Sequence, residues 1–275
     1  MKILRTLVTF IALLVMQISV VQADTMVLVH GYLANMSSWD NSGVTATLQR
    51  EGWQRAGVYV PGRLLQITAT ESANRYYLVN LPSESPVAIQ ANHLRPMLKQ
   101  IAALHPDEEI ILVGHSAGGV VARLMVVEKV VDNIKTLITI AAPHLGTPRA
   151  IQALDYADTS FPFSMVQQIF SNDAYHLTRR GSGLFVDLVA PHPGNLLFWL
   201  NTREHPEINY YSIIRRVGDQ MVPNFSQDMN NVVALSGHAG YIIADLGHAL
   251  HPADGQYILS ILNQIAGTQV ADVSS

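Results

Sequence analysis

A chain of 275 residues that is 49% hydrophobic and only 14% charged can bury a large core, and it reads as globular rather than disordered. Its formal charge of −4 at pH 7, with no basic patch along the sequence, argues against nucleic acid as a partner. The absence of cysteine excludes disulfides, thiolate metal sites, a cysteine nucleophile and a lipid-modified N-terminal cysteine.

Residues 1–23 read as a signal peptide. Lys2 and Arg5 give a positive start, Leu7 to Val21 is nearly all apolar, and Val21-Gln22-Ala23 offers a small-residue cleavage site. Thr9, Gln17 and Ser19 interrupt a stretch already short for a membrane span, which weighs against an uncleaved anchor. Cleavage would export the chain to a periplasm or the medium with Asp24 at its N-terminus. Losing Lys2 and Arg5 leaves 15 basic against 21 acidic residues, a net charge of −6.

Met26 to Val29 is a short apolar run that predicts a buried strand ending at His30-Gly31-Tyr32. A helix carrying Trp39, Val44 and Leu48 follows and closes before Gly52. Gly57 to Val60 predicts a second strand, stopped by Pro61-Gly62. Residues 63–84 lack clear periodicity and read as a loop with some local structure. Ser85-Pro86 then opens a helix with apolar positions at Val87, Ile89, Leu94, Met97, Leu98, Ile101 and Leu104.

Ile110 to Val113 is a continuous apolar run of the kind buried on both faces of a parallel sheet. It delivers Gly114-His115-Ser116-Ala117-Gly118, after which a helical pattern runs from Val120 to Val130. A serine at so sharp a strand-to-helix turn is lifted clear of the sheet, and glycine is needed at 114 and 118 because side chains there would collide with the neighbouring chain. Lys135 to Ala141 predicts another strand, followed by the proline-bounded loop Ala142 to Pro148.

From residue 149 to 203 the alternation of strand and helix stops, leaving an apolar insertion whose Phe161, Phe163, Phe170 and Trp199 either wall an acyl site or pack the insertion onto the core. The alternation resumes with Asn209 to Ile214, which delivers Gly218-Asp219, and with Tyr241 to Ala244, which delivers Gly247-His248. Tyr257 to Ile265 makes a closing helix. The expected fold is therefore α/β: a mostly parallel sheet with helices on both faces. Its core spans 24–148 and 204–275, and a helical cap spans 149–203.

A serine hydroxyl is a poor nucleophile at neutral pH and needs a base, itself oriented by an acid. Asp219, directly after a strand, is the candidate acid. Three histidines follow it. His248 comes after a strand and before the last helix, so it is favoured as base. His251 reads better as a helix starter beside Pro252, and His238 sits before the last strand, at its wrong end. Ser116, Asp219 and His248 would then perform two-step acyl transfer, with backbone N–H groups of Tyr32 and Ala117 holding the oxyanion. His30 reads as a loop-ordering residue whose ring bonds backbone. A zinc site at His248 and His251 with Asp245 and Asp254 has only a weak spacing signal. The reaction calls for no cofactor and no metal.

Val27 to Tyr32, Gly114 to Arg123, Ala142 to Pro148 and Gly218 to Pro223 together resemble the α/β-hydrolase family, close to its bacterial lipase and esterase members. The resemblance covers most of 24–265. It implies the same triad and oxyanion donors and a lid or cap at 149–203, and the apolar character of that cap suggests hydrolysis of carboxylic esters of medium or long acyl chains. An ester or lipid substrate and contact with a lipid interface through the cap go with it. Thioester, amide or acyl-transfer chemistry on the same residues, or a non-catalytic binding protein of this fold, are the competing readings. The chain departs from larger members in starting almost at once with the strand before His30, so antiparallel edge strands are expected to be missing. It also lacks the disulfide of some secreted lipases. Several close histidines leave the base assignment open.

Overall fold

The computed structural model describes residues 24–60, 62–66, 74–158 and 180–273. Residues 1–23, read as a signal peptide, and the aromatic positions Phe161, Phe163 and Phe170 lie outside these residues. Strand β1 (Asp24–Val29) leads through the short helices α1 (Ser38–Asn41) and α2 (Val44–Arg50) to β2 (Gln54–Val60), β3 (Arg63–Gln66) and β4 (Arg75–Val79). Helix α3 (Val87–Leu104) precedes β5 (Glu109–His115), α4 (Ala117–Val127) and β6 (Ile134–Ile140). Helices α5 (Pro148–Asp158), α6 (Ser182–Leu188) and α7 (Leu196–Asn201) follow β6. Strand β7 (Asn209–Arg215), α8 (Asn224–Gln227), β8 (Ala239–Ala244) and α9 (Pro252–Val273) complete the chain.

The eight strands form one sheet in the order β3-β2-β4-β1-β5-β6-β7-β8. Every pairing is parallel except β2 with β3. Alternate residues of the central strands feed two cores, as the twofold period of a strand requires. Val27 and Val29 of β1 join the core beneath α3 and α4, whereas Met26 and Leu28 join the one beneath α1, α2 and α9. Each such fully buried aliphatic side chain contributes about 1.5–3 kcal/mol, so the sheet is held from both sides without any covalent link.

Two expectations need correction. Residues 63–84, read as loop, contain two strands, and β4 lies beside β1 near the middle of the sheet. Its tyrosines can be buried because each hydroxyl finds a partner at a helix. Gln49 Nε2 donates to the Tyr76 hydroxyl at 2.7 Å, and the Tyr77 hydroxyl bonds His105 Nε2 at 2.7 Å. An antiparallel edge strand is also present, since β3 folds back on β2 from Val60 paired with Arg63.

The described residues between β6 and β7 are fastened to the elements around them. Thr147 N–H donates to Leu188 O at 2.9 Å, Asp187 Oδ2 accepts the Val87 N–H at 2.7 Å, and Arg180 pairs with Glu84 at 3.3 Å. Asp187 thereby serves the first residue of α3, whose N–H has no partner within its own helix. Among the described residues no helix is long and apolar enough to cross a membrane.

Candidate active site

Five loops at the C-terminal ends of β1, β5, β6, β7 and β8 meet at one edge of the sheet, where open parallel sheets place their ligands. Ser116 stands between β5 and α4 with φ 53° and ψ −129°, a conformation that costs about 1–3 kcal/mol for a residue other than glycine. The surrounding packing enforces it. A Cβ on Gly114 would lie 2.5 Å from Gly119 Cα, and one on Gly118 would lie 2.3 Å from His30 O. The strand, the helix and the loop after β1 thus close on the serine turn at their bare backbones.

His248 Nε2 is 2.9 Å from Ser116 Oγ, and His248 Nδ1 is 2.9 Å from Asp219 Oδ2. The Asp219 side chain is only 1% exposed. Burial pushes its carboxyl up, but hydrogen bonds from His248, Val222 and Met221 outweigh burial and hold it below the usual carboxylate value. The acid is therefore ionised and fixes His248 Nδ1 as a donor. That leaves the Nε2 lone pair facing the serine hydroxyl, where it can take the proton as Oγ attacks an acyl carbon.

Ala117 is the first residue of α4, so its N–H points out of the helix start beside the serine. Tyr32 follows β1 by three residues, and its ring packs edge-on against Phe185 of α6 with centroids 5.0 Å apart. Burial pushes the Tyr32 hydroxyl up to about 12, so it stays protonated.

The remaining histidines are engaged elsewhere. His30 is fully buried, with Nε2 accepting the Leu81 N–H at 3.0 Å and Nδ1 facing Gly31 O at 3.1 Å. It ties the loop after β1 to the loop after β4. His251 Nδ1 accepts the Ala253 N–H at 3.2 Å at the start of α9, and His238 precedes β8 at the opposite end of the sheet. The donors of the zinc reading are spread over other partners. Asp245 pairs with Arg216, Asp254 with Arg215, and His248 with Asp219. Trp199 stacks under Arg203 and lines a surface groove with Ala88, Arg95, Leu124 and Glu128. Leu124 lies roughly 10 Å along α4 from Ala117 at 1.5 Å per residue, so Trp199 is not brought to the serine.

Five supporting contacts have no signal in the sequence pattern. Gln227 Nε2 donates to Asp219 Oδ2 at 3.1 Å, while its Oε1 accepts the Arg215 N–H at 2.7 Å. The fully buried Arg215–Asp254 pair, 2.7 Å apart, also receives the His251 N–H on Asp254 Oδ2. His115 Nε2 meets the main-chain carbonyl of His248 at 2.8 Å. No local pattern announces Gln227, Arg215 or Asp254, whereas His115 sits inside the serine motif itself.

The sequence profile of the PGAP1-like alpha/beta domain matches residues 24–194. The chain belongs to that family. Its PGAP1-like domain has the α/β-hydrolase fold, similar to lipases and esterases of solved structure. A Listeria innocua gene product of solved structure superimposes with a TM-score of 0.53 at 15% identity, covering 84% of this chain and 88% of that one. The mature form of the lipase BlEst2 from Bacillus licheniformis gives 0.51 at 15% identity over 88% and 92%. A lipase-esterase related protein from Clostridium acetobutylicum gives 0.51 at 11% over 89% and 95%. In sequence, the PGAP1-like chain is 41% identical over 66 residues to the GPI inositol-deacylase of Debaryomyces hansenii, a match covering 22% of this chain and 6% of that protein. It is 37% identical over 57 residues to the lysosomal thioesterase PPT2 homolog of Drosophila melanogaster, covering 21% and 19%. The chain thus matches only a small part of either relative's length.

Proposed function

We propose that this protein hydrolyses carboxylic esters through an acyl-enzyme on Ser116, with His248 as base, Asp219 as its orienting acid, and the Ala117 and Tyr32 N–H groups as oxyanion donors. The observation that carries this reading is the hydrogen-bonded line from Asp219 Oδ2 through both His248 nitrogens to Ser116 Oγ, each contact 2.9 Å. In the first step His248 takes the serine proton, Oγ bonds to the acyl carbon, and the alcohol departs with that proton. In the second, His248 takes a proton from water as its oxygen bonds to the acyl carbon, and returns that proton to Ser116 Oγ as the Oγ–acyl bond breaks and the acid is released. Each oxyanion donor contributes about 3 kcal/mol of transition-state stabilisation.

An acyl chain of medium or long length is the preferred substrate. Phe185 of α6, beside Tyr32, offers an apolar surface next to the proposed oxyanion donor. The similarity to a protein named as an inositol-deacylase supports ester chemistry. The similarity to one named as a thioesterase supports a second reading, thioester hydrolysis on the same residues. A p-nitrophenyl ester series from acetate to palmitate, run beside acyl thioesters of equal chain length, separates them. Maximal kcat/KM on the longer oxygen esters is expected. Preference for acetate removes the long-chain form, and a strong preference for thioesters selects the second reading.

A further inference from the structure

We propose that His115 is a positioning residue whose Nε2–H donates to the main-chain carbonyl of His248 at 2.8 Å and so clamps the base loop onto the serine turn. The proposal rests on the serine-hydrolase reading above and adds to it a residue that touches no substrate.

The case starts from how His248 is held. It lies between β8 and α9, outside regular structure, where a loop would otherwise drift relative to the sheet. Its ring is oriented by Asp219, but a ring bond fixes direction and not the position of the backbone that carries it. Among the described residues, His115 supplies the hydrogen bond made to the His248 main chain. His115 is the last residue of β5 and is covalently joined to Ser116, so the clamp spans the two loops one residue away from the Ser116–His248 contact itself. Its own backbone is anchored in the sheet through the pairing of β5 with β6, His115 lying opposite Ile140.

A carbonyl oxygen only accepts, so the His115 ring must be the Nε2–H tautomer. The surroundings keep it in that neutral form. The residue is 8% exposed, and burial together with the neighbouring His248 lowers its imidazole to about 3. The two rings lie 5.3 Å apart. A permanent cation at that distance would oppose the imidazolium that His248 becomes during each step, whereas a neutral donor holds the loop without that penalty.

Turnover of a p-nitrophenyl ester by the full-length protein tests the clamp. His115→Phe, which fills the space without a donor, is expected to lower kcat about 10- to 100-fold with KM changed by less than about twofold. His115→Gln, which restores an N–H at similar reach, is expected to recover most of that loss. Wild-type kcat in His115→Phe, or equal loss in both variants, overturns the proposal. Should His115→Phe fail to fold, nitrogen-detected NMR of the wild-type imidazoles decides it instead. A neutral Nε2–H ring from pH 7 to 5 is expected, and a ring that protonates in that range or carries its proton on Nδ1 contradicts the clamp. A folded wild type that neither turns over esters or thioesters nor reacts with a fluorophosphonate removes the serine-hydrolase reading and the clamp with it. Active wild type with insensitive His115 variants removes the clamp alone.

Discussion

Asp219 receives four hydrogen bonds on its two carboxylate oxygens, from Met221 and Val222 N–H on Oδ1 and from His248 and Gln227 on Oδ2. Every donor points inward, so only a group that accepts on both sides fits. In Asp219→Asn the amide oxygen would keep the two backbone donors and its NH₂ would face His248 Nδ1. That forces the proton onto Nε2, where it blocks abstraction from Ser116. The expected result is a fall in ester kcat of about 10⁴-fold with thermal stability changed little by comparison, read from initial rates and melting curves on one preparation. A fall of less than about tenfold would show that Asp219 does not set the tautomer. Ser116, Asp219 and His248 were each visible in the sequence because a strand precedes them. His251 stayed an alternative because it is three residues from His248. What separates the two is that α9 begins between them, engaging the His251 ring with the Ala253 N–H. His115 acts on a carbonyl 133 residues away, and Gln227 reaches back to Asp219 through the fold of the loop between them, which no residue spacing encodes.

At the level of elements, continuous apolar runs made β1, β5 and β6 easy to see, and glycine spacing marked the turn after β5. Strand β4 escaped because Arg75-Tyr76-Tyr77-Leu78-Val79 carries polar groups at buried positions, and only the tertiary partners Gln49 and His105 satisfy them. The fastening of α6 is likewise tertiary. Asp187→Ala leaves the Val87 N–H without its acceptor at the start of the 18-residue helix α3, which costs about 1 kcal/mol, as other lost N-terminal caps do. It also loosens the helix that holds Phe185 against Tyr32. Urea unfolding should therefore show the loss, ester turnover should fall alongside it, and Asp187→Asn, which retains an acceptor, should restore both. Unchanged stability and turnover in Asp187→Ala would mean that α6 is held by its apolar contacts alone.

Over the whole molecule, a chain without cysteine relies on two cores and on histidines buried in neutral form. Burial lowers the pKa of His30, of His144 and, to about 3, of His115. Their folded values lie below the unfolded 6.5, so below that pH the unfolded chain takes up protons that the folded one refuses. Stability is then lost as pH falls, by up to about 1.4 kcal/mol per unit for each group. Asp24, raised to about 6 by burial and by Glu109 and Glu108, and Asp187, raised by burial, work the other way, two groups against five histidines once His105 and His205, also lowered by burial, are included. The urea midpoint is expected to be clearly lower at pH 5 than at pH 7, and an equal or higher midpoint would mean that these rings are not buried neutral. The fold's central act is to bring His248 onto a serine 132 residues earlier in the chain. Fluorophosphonate labelling tests that act most directly, on wild type, Ser116→Ala, His248→Ala and His251→Ala side by side. Rapid labelling of wild type and His251→Ala, with none in Ser116→Ala and a rate at least about 10³-fold lower in His248→Ala, is the predicted result; wild-type labelling in His248→Ala, or its loss in His251→Ala, would contradict it.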